Sequence, residues 1–293
     1  MDGLLLDTED LYTKCINIVL ERHGRPDLPW SVKARLQGRP GPAADALFQA
    51  WAKLPISPEQ CKEEYTALQR EHFPTAQPLP GVPKLLGDLG RTRWWDVKRR
   101  RTGGDGTDVP RRVHIALATS SHHQNFLLKT NHLTELFSVF PRERRVLGDD
   151  ARIEAGRGKP QPDIFLLALQ TINDSLPEGE PEITPEECLV FEDSVPGVEA
   201  GRRAGMRVVW IPHPGLKEEY AGREKEVLAG TTGEAGIDLE PPGEVDDGWA
   251  EYLPNLVEFS CEKYGINIPP LEVEEDPEMQ ERAGEISSVD NAR

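Results

Sequence analysis

Basic residues are in the minority in this chain, cysteines are few, and long apolar runs are missing. Its 293 residues carry 34 Lys and Arg against 51 Asp and Glu, a formal net charge of -17. A surface of that sign repels phosphate backbones and anionic lipid, which argues against nucleic acid or membrane as the main partner. The four cysteines, Cys15, Cys61, Cys188 and Cys261, show no CxxC pairing and no close spacing, so neither a zinc site nor a disulfide framework is suggested. Reduced, buried thiols are the simpler reading. No apolar stretch approaches the roughly 18 residues of a membrane span, and the N-terminus lacks the basic start and apolar run of a signal peptide. The expectation is a cytoplasmic monomer that meets small soluble ligands.

What is present divides in two, as expected of a length beyond the roughly 100–200 residues of one domain. From Thr8 the run TEDLYTKCINIVLERHG sets Leu11, Cys15, Ile18 and Val19 on one face at helical spacing, with Gly24 as a stop. Further helical runs follow, among them SPEQCKEEYTALQREHF, where Ser57 is placed as N-cap, Pro58 in the first turn and Gln60 for a capping box. No convincing strand interrupts residues 12–78, which read as an all-helical insert. After a short helix near Val82–Leu89 the pattern becomes short apolar runs, each followed by a helix, the alternation that a parallel sheet requires. The expected strands are Val113–Ala118, Arg145–Leu147, Cys188–Phe191 and Arg207–Ile211. The expected helices are His122–Thr130, Asp163–Ile172 and Val195–Ala204. In open α/β sheets ligands lie outside the carboxyl ends of the strands, so polar clusters at those ends should converge on one crevice.

Four fragments fall at such ends. MDGLLLDTE places Asp2 and Gly3 before an apolar run, and alone means nothing. ALATSS ends a strand with Thr119, Ser120 and Ser121, whose hydroxyl and backbone N–H groups suit phosphate oxygens, although Ser and Thr also cap helices routinely. GKPQPDIF sets Lys159 in a Gly/Pro loop before a helix, where a fixed cation offsets gathered negative charge; most such lysines are merely solvated. LVFEDSVPGVEAGRRAGM puts Glu192 and Asp193 at a strand end, hard oxygen ligands of the kind Mg²⁺ prefers, with pairing to nearby basic residues as the alternative. The four in this order are an improbable chance assembly.

The set resembles the haloacid dehalogenase superfamily, and within it the pseudouridine-5′-phosphatase-like branch, over residues 1 to about 213 apart from 91–112. The fragments WSVK at 30–33, FPTA at 73–76, VLGDD at 146–150 and CLVFED at 188–193 carry the branch likeness. The resemblance implies an α/β fold: a Rossmann-like core (residues 1–11 and 79–265) with a helical cap (12–78) inserted after the first strand. It also implies a phosphatase working through an aspartyl phosphate with Mg²⁺. By position, Asp2 would be the general acid/base and lend its carbonyl to the metal. Thr119 and Ser120 would hold the phosphoryl group and Lys159 would steady its charge. Asp193 would bind Mg²⁺ directly and Glu192 through water. In the cap, Gln37, Gly38 and Arg39 fall where related enzymes touch substrate; ordinary helix-to-helix loop chemistry explains Gly38 to Pro42 equally well.

One departure stands out. The family's opening motif is Asp-x-Asp-Gly, its first aspartate being the nucleophile, and here Met1 occupies the x. The nucleophile and most of the first core strand therefore have no position in residues 1–293. A start further upstream is the favoured explanation, and a non-catalytic binding relative the other. A β-phosphoglucomutase-like phosphomutase is the alternative activity. Residues 91–112, with Trp94 and Trp95 beside a basic run, read as an atypical insertion, and the acidic tail 266–293 as disordered.

Overall fold

The computed structural model describes residues 1–39, 41–92, 96–97, 111–178, 180–233 and 242–268. Most of the insertion read at 91–112 and nearly all of the tail, residues 269–293, lie outside the described residues.

The first helices pack largely on one another, and the second also joins the remainder through Ala34 and Trp30. They are α1 (Thr8–Arg22), α2 (Trp30–Leu36), α3 (Gly41–Ala52) and α4 (Pro58–His72). The apolar face foreseen for α1 is the one it buries: Cys15 and Val19 pack with Cys61 and Leu68 of α4, while Leu20 packs with Leu28 and Ala52. Burying a side chain such as Leu20, fully excluded from solvent, contributes about 1.5–3 kcal/mol. At the start of α4 half of the expected capping box forms. Ser57 Oγ accepts from the Gln60 amide at 3.1 Å, but the Gln60 side chain turns forward to Glu64 instead of back to the cap. Each bond satisfies one polar group, so the loss is small.

The remainder is layered. Helix α5 (Val82–Thr92) is followed by a two-stranded antiparallel ribbon, β1 (Asp96–Val97) with β2 (Arg111–Arg112). Then come β3 (Leu117–Ala118), α6 (His123–Thr130), α7 (Thr134–Phe137), β4 (Arg145–Val146) and α8 (Asp163–Asn173). The chain continues through β5 (Leu189–Glu192), α9 (Val195–Arg203), β6 (Arg207–Trp210), α10 (Pro214–Glu219), α11 (Glu224–Ala229) and β7 (Ala250–Tyr252). Strands β3 and β4 pair in parallel, and β5, β6 and β7 form a second parallel sheet. The four strands expected from sequence are present within a few residues, the first much shorter than Val113–Ala118. Strand β7 was not foreseen.

Strand β6 shows why helices cover both faces. Val208 and Trp210 point into one apolar cluster with Ile164 and Phe165 of α8 and Val198 of α9. Val209 and Ile211 point into the opposite cluster, with Leu85 and Leu86 of α5. An apolar run with period-two alternation into two cores is what a doubly covered parallel strand requires. Among the described residues, no helix is long and apolar enough to cross a membrane.

Candidate active site

The carboxyl ends of β3 and β5 bring the sequence fragments to one place. Asp2 lies in the opening turn, where Gly3 takes a left-handed φ of +65°. A Cβ at Gly3 would stand 2.5 Å from Asp193 Oδ2 and 2.6 Å from Glu9 Cγ, so only glycine lets this turn reach the end of β5. Gly38 does the same from the helical side: its φ is +76°, and a Cβ there would meet Ser194 Oγ at 2.2 Å.

The two strand-end carboxylates are both buried and differ in what compensates them. Glu192 is paired with the buried ammonium of Lys159 and accepts from the Ser194 hydroxyl at 3.0 Å. Burial alone would raise its pKa, but the charges of Lys159 and the Met1 amine, with the hydrogen bonds from Lys159 and the Ser194 amide, together outweigh burial and hold it below the usual carboxylate range. Asp193 accepts a 2.6 Å bond from the Gln37 amide, and its backbone carbonyl accepts from the Trp210 indole at 3.1 Å. Burial, with the adjacent Glu192 charge adding to it, pushes its pKa up to about 8. Gln37 is itself buried, and its Oε1 has no hydrogen-bond partner.

Asp2 is the opposite case. Its Oδ1 accepts from Lys129 Nζ at 2.6 Å and from Thr8 Oγ1 at 2.7 Å. Burial would raise its pKa, and the charges of Lys129 and the Met1 amine, with these bonds, more than offset that, leaving the carboxyl below its ordinary value. Lys129 is fully buried and also donates to Ser121 Oγ at 2.7 Å and Tyr12 OH at 3.1 Å. One ammonium thus ties the opening turn to the TSS segment. Within that segment Thr119 is buried and its Oγ1 accepts from the Ser121 amide at 3.2 Å, while Ser120 Oγ donates to the Gly38 carbonyl at 3.4 Å.

Asp2, Thr119, Ser120, Lys159, Glu192, Asp193, Gln37 and Gly38 are therefore linked by direct contacts or by a single intervening residue. Arg39 is turned elsewhere, its Nε donating to the Arg35 carbonyl at 2.7 Å. The residue that sequence reasoning missed is Lys129. Its spacing, three positions after Phe126, put it on the same helical face, but only the fold shows that α6 buries that face, where an unpaired lysine would be costly.

For a hard cation, the donor chemistry is suitable. Asp193 is a carboxylate whose burial and neighbouring Glu192 charge outweigh what the Met1 amine and Lys159 compensate. Among the described residues no three His, Cys, Asp or Glu side chains converge, so further ligands must be backbone oxygens or water. Mg²⁺ is commonly held in that way, by one or two carboxylates with several waters.

The haloacid dehalogenase-like hydrolase family matches residues 1–205. A probable pseudouridine-5′-phosphatase of Saccharomyces cerevisiae is 40% identical over 91% of this chain and 94% of its own length. The (DL)-glycerol-3-phosphatase 2 of Arabidopsis thaliana is 33% identical, over 93% and 90% of the two chains. Among solved structures, a haloacid dehalogenase hydrolase of Entamoeba histolytica aligns over 90% of this chain and 95% of its own, with a TM-score of 0.58 at 19% identity, which is a likeness of fold. With the motif order, the layered α/β fold and these relatives in agreement, the chain belongs to the haloacid dehalogenase-like hydrolases.

Proposed function

We propose that the protein is a Mg²⁺-dependent phosphatase of small phosphomonoesters, with a core of residues 1–11 and 79–265 and a helical cap of residues 12–78. The observation that carries the reading is the convergence of Asp2, the TSS hydroxyls, Lys159 and the Glu192–Asp193 pair at the ends of β3 and β5. Phosphoryl transfer needs little from a protein beyond positioning and charge compensation, and each of these groups supplies one or the other.

Asp2, fixed by Lys129 and Thr8, would be the general acid/base: as the carboxylate it is placed to take a proton from water, and it would protonate the leaving alkoxide only after first binding a proton from solvent. Thr119 and Ser120 donate to phosphoryl oxygens, and Lys159 steadies the charge gathered beside Glu192. Asp193 and Glu192 would hold the metal, which when bound adds positive charge against the phosphate. Gln37 and Gly38, already against Asp193 and Ser194, would close the cap over the substrate; Arg39 would reach it only by leaving Arg35. The names of the relatives make pseudouridine 5′-phosphate and glycerol 3-phosphate the first substrates to try. A cytoplasmic monomer fits the charge and the free thiols.

The family's nucleophile precedes Met1 by one position, so the assay compares residues 1–293 with a version that carries an apolar strand ending in Asp before Met1. Phosphate release with Mg²⁺ from at least one phosphomonoester is expected of the extended version and not of residues 1–293 alone. An extended version that folds, binds Mg²⁺ and releases no phosphate from any panel member would refute the reading.

A further inference from the structure

Helix α2 is seven residues long and faces two ways. Val32 and Leu36 pack with Leu20 of α1 and with Leu28. Trp30 and Ala34, four positions apart on the other face, pack in the cluster that holds Leu216 and Tyr220. Gln37 follows at the spacing that continues this second face, seven positions after Trp30, and donates to Asp193. One helical surface, about 10 Å long, thus runs from α10 to the strand-end carboxylates.

Trp30 holds the far end of that surface. Its indole stacks on the His213 imidazole, with ring centroids 4.6 Å apart and planes 23° from parallel, a separation at which aromatic rings attract. The Lys33 ammonium lies 4.5 Å from the indole centroid and is itself held by the Glu9 carbonyl at 2.8 Å and the Thr13 hydroxyl at 2.6 Å. The indole also rests against Gly215, where a Cβ would stand 2.1 Å from Trp30 Cε2. Since Gly215 is not among the residues with positive φ, the indole and not the backbone is what excludes a side chain there. His213 is fixed in turn: its Nδ1 accepts from the Gly215 amide at 3.1 Å and caps α10. That bond leaves the ring proton on Nε2, 3.3 Å from Asp10 Oδ1. Asp10 is largely exposed, so this ion pair adds little, and the stack and the glycine seat carry the contact. Residues 213–215 lie beyond the stretch 1–205 that the family matches.

We propose that Trp30 and its seat, His213 with Gly215, form a latch that locks α2 onto α10, and that Trp30 and His213 are positioning residues for Gln37. They act through α2. While the indole is seated, the Gln37 amide is delivered to Asp193 Oδ2; when the indole lifts, the amide leaves with the helix. Uncovering of a substrate site by that movement rests on the phosphatase reading, whereas the latch does not.

Two variants of residues 1–293 test the latch without metal or substrate. Gly215→Ala adds the Cβ that the indole excludes, while alanine suits a helix better than glycine, so α10 itself should not weaken. His213→Asn deletes the ring and keeps an acceptor suited to capping α10. In hydroxyl-radical footprinting read by mass spectrometry, oxidation of Trp30 should rise about threefold or more in both variants, with the fully buried Trp210 unchanged. Unchanged Trp30 oxidation in both would overturn the proposal. An equal rise at Trp210 would assign these residues to the stability of the whole fold and would overturn it too. The positioning role is read from thermal midpoints across a Mg²⁺ titration. Each variant should shift the Mg²⁺ response in the same direction as Gln37→Leu and add nothing to it in the double variant, because all three take the same amide from Asp193. Additive shifts, or none in the single variants, would make Trp30 a packing contact that positions nothing. A lack of phosphate release from the extended version would count against the phosphatase reading alone.

Discussion

Asp2 and Asp193 meet across the turn at Gly3, both withdrawn from most solvent, and the fold treats them in opposite ways. Asp2 is given a buried ammonium and a hydroxyl, and is held ionised. Asp193 is given one neutral amide and the company of another carboxylate, and its pKa is driven up to about 8. Of the cations on that side, Lys159 is paired with Glu192, and it and the Met1 amine offset only part of the burial of Asp193. One corner thus carries enough charge compensation to stay ionised, and the other does not. In the proposed reaction the first corner, held ionised, is ready to take a proton, and the second is ready to receive a cation from solution.

The sharpest way to break the comparison is to remove the compensation from Asp2. Lys129→Met leaves a buried carboxylate without its ammonium partner and removes one donor each from the Ser121 and Tyr12 hydroxyls. Breaking a buried pair from one side costs about 3–5 kcal/mol, and a loss of that order is expected in urea unfolding. The double variant Lys129→Met with Asp2→Asn should recover more than half of it. A single variant that loses less than about 1 kcal/mol would mean that Lys129 is not what keeps Asp2 charged.

The Asp193 corner predicts an effect of pH. In the unfolded chain this carboxyl loses its proton near its ordinary value of 3.8, and in the folded chain at about 8. Between those limits the native state holds a proton that the unfolded state has released, so raising pH favours unfolding. Without divalent cations, the stability of the wild type relative to Asp193→Asn should fall as pH rises toward 8 and level off above it. Added Mg²⁺ should flatten the curve for the wild type and leave Asp193→Asn unchanged. A relative stability that rises over this range would contradict the account of Asp193.

How far the sequence disclosed these two corners depends on what each is made from. Glu192 and Asp193 were legible because a short apolar run ended in them and Ser194 followed as a cap, all within local pattern. The Ser57 cap and the apolar face of α1 were legible for the same reason. Lys129 was not, because it lies 127 residues from Asp2, and only the fold shows that its position on α6 is an interior one. The bond from Gln37 to Asp193 spans 156 residues and was equally hidden; the resemblance pointed to Gln37 as a substrate contact, not as a neighbour of the metal carboxylates. Strand β7 escaped notice because Ala250–Tyr252 is three residues long and has too few turns of alternation to register as a period.

The smallest effect should come from Gln37, where two terms oppose. Replacing Gln37 by Leu deletes its hydrogen bond to Asp193, a loss of about 1 kcal/mol, but also deletes the orphaned Oε1, whose burial without a partner costs about 1–3 kcal/mol. Metal-free stability should therefore change by no more than about 1 kcal/mol. The response to Mg²⁺ should grow, because the amide now donates to Asp193 Oδ2, an oxygen that a cation would take, and its removal leaves that lone pair open. Thermal midpoints of the two proteins, measured across a Mg²⁺ titration, compare the responses directly. A weaker response in Gln37→Leu would show that the amide orients Asp193 for the cation and does not compete with it, making the second corner as fully prearranged as the first.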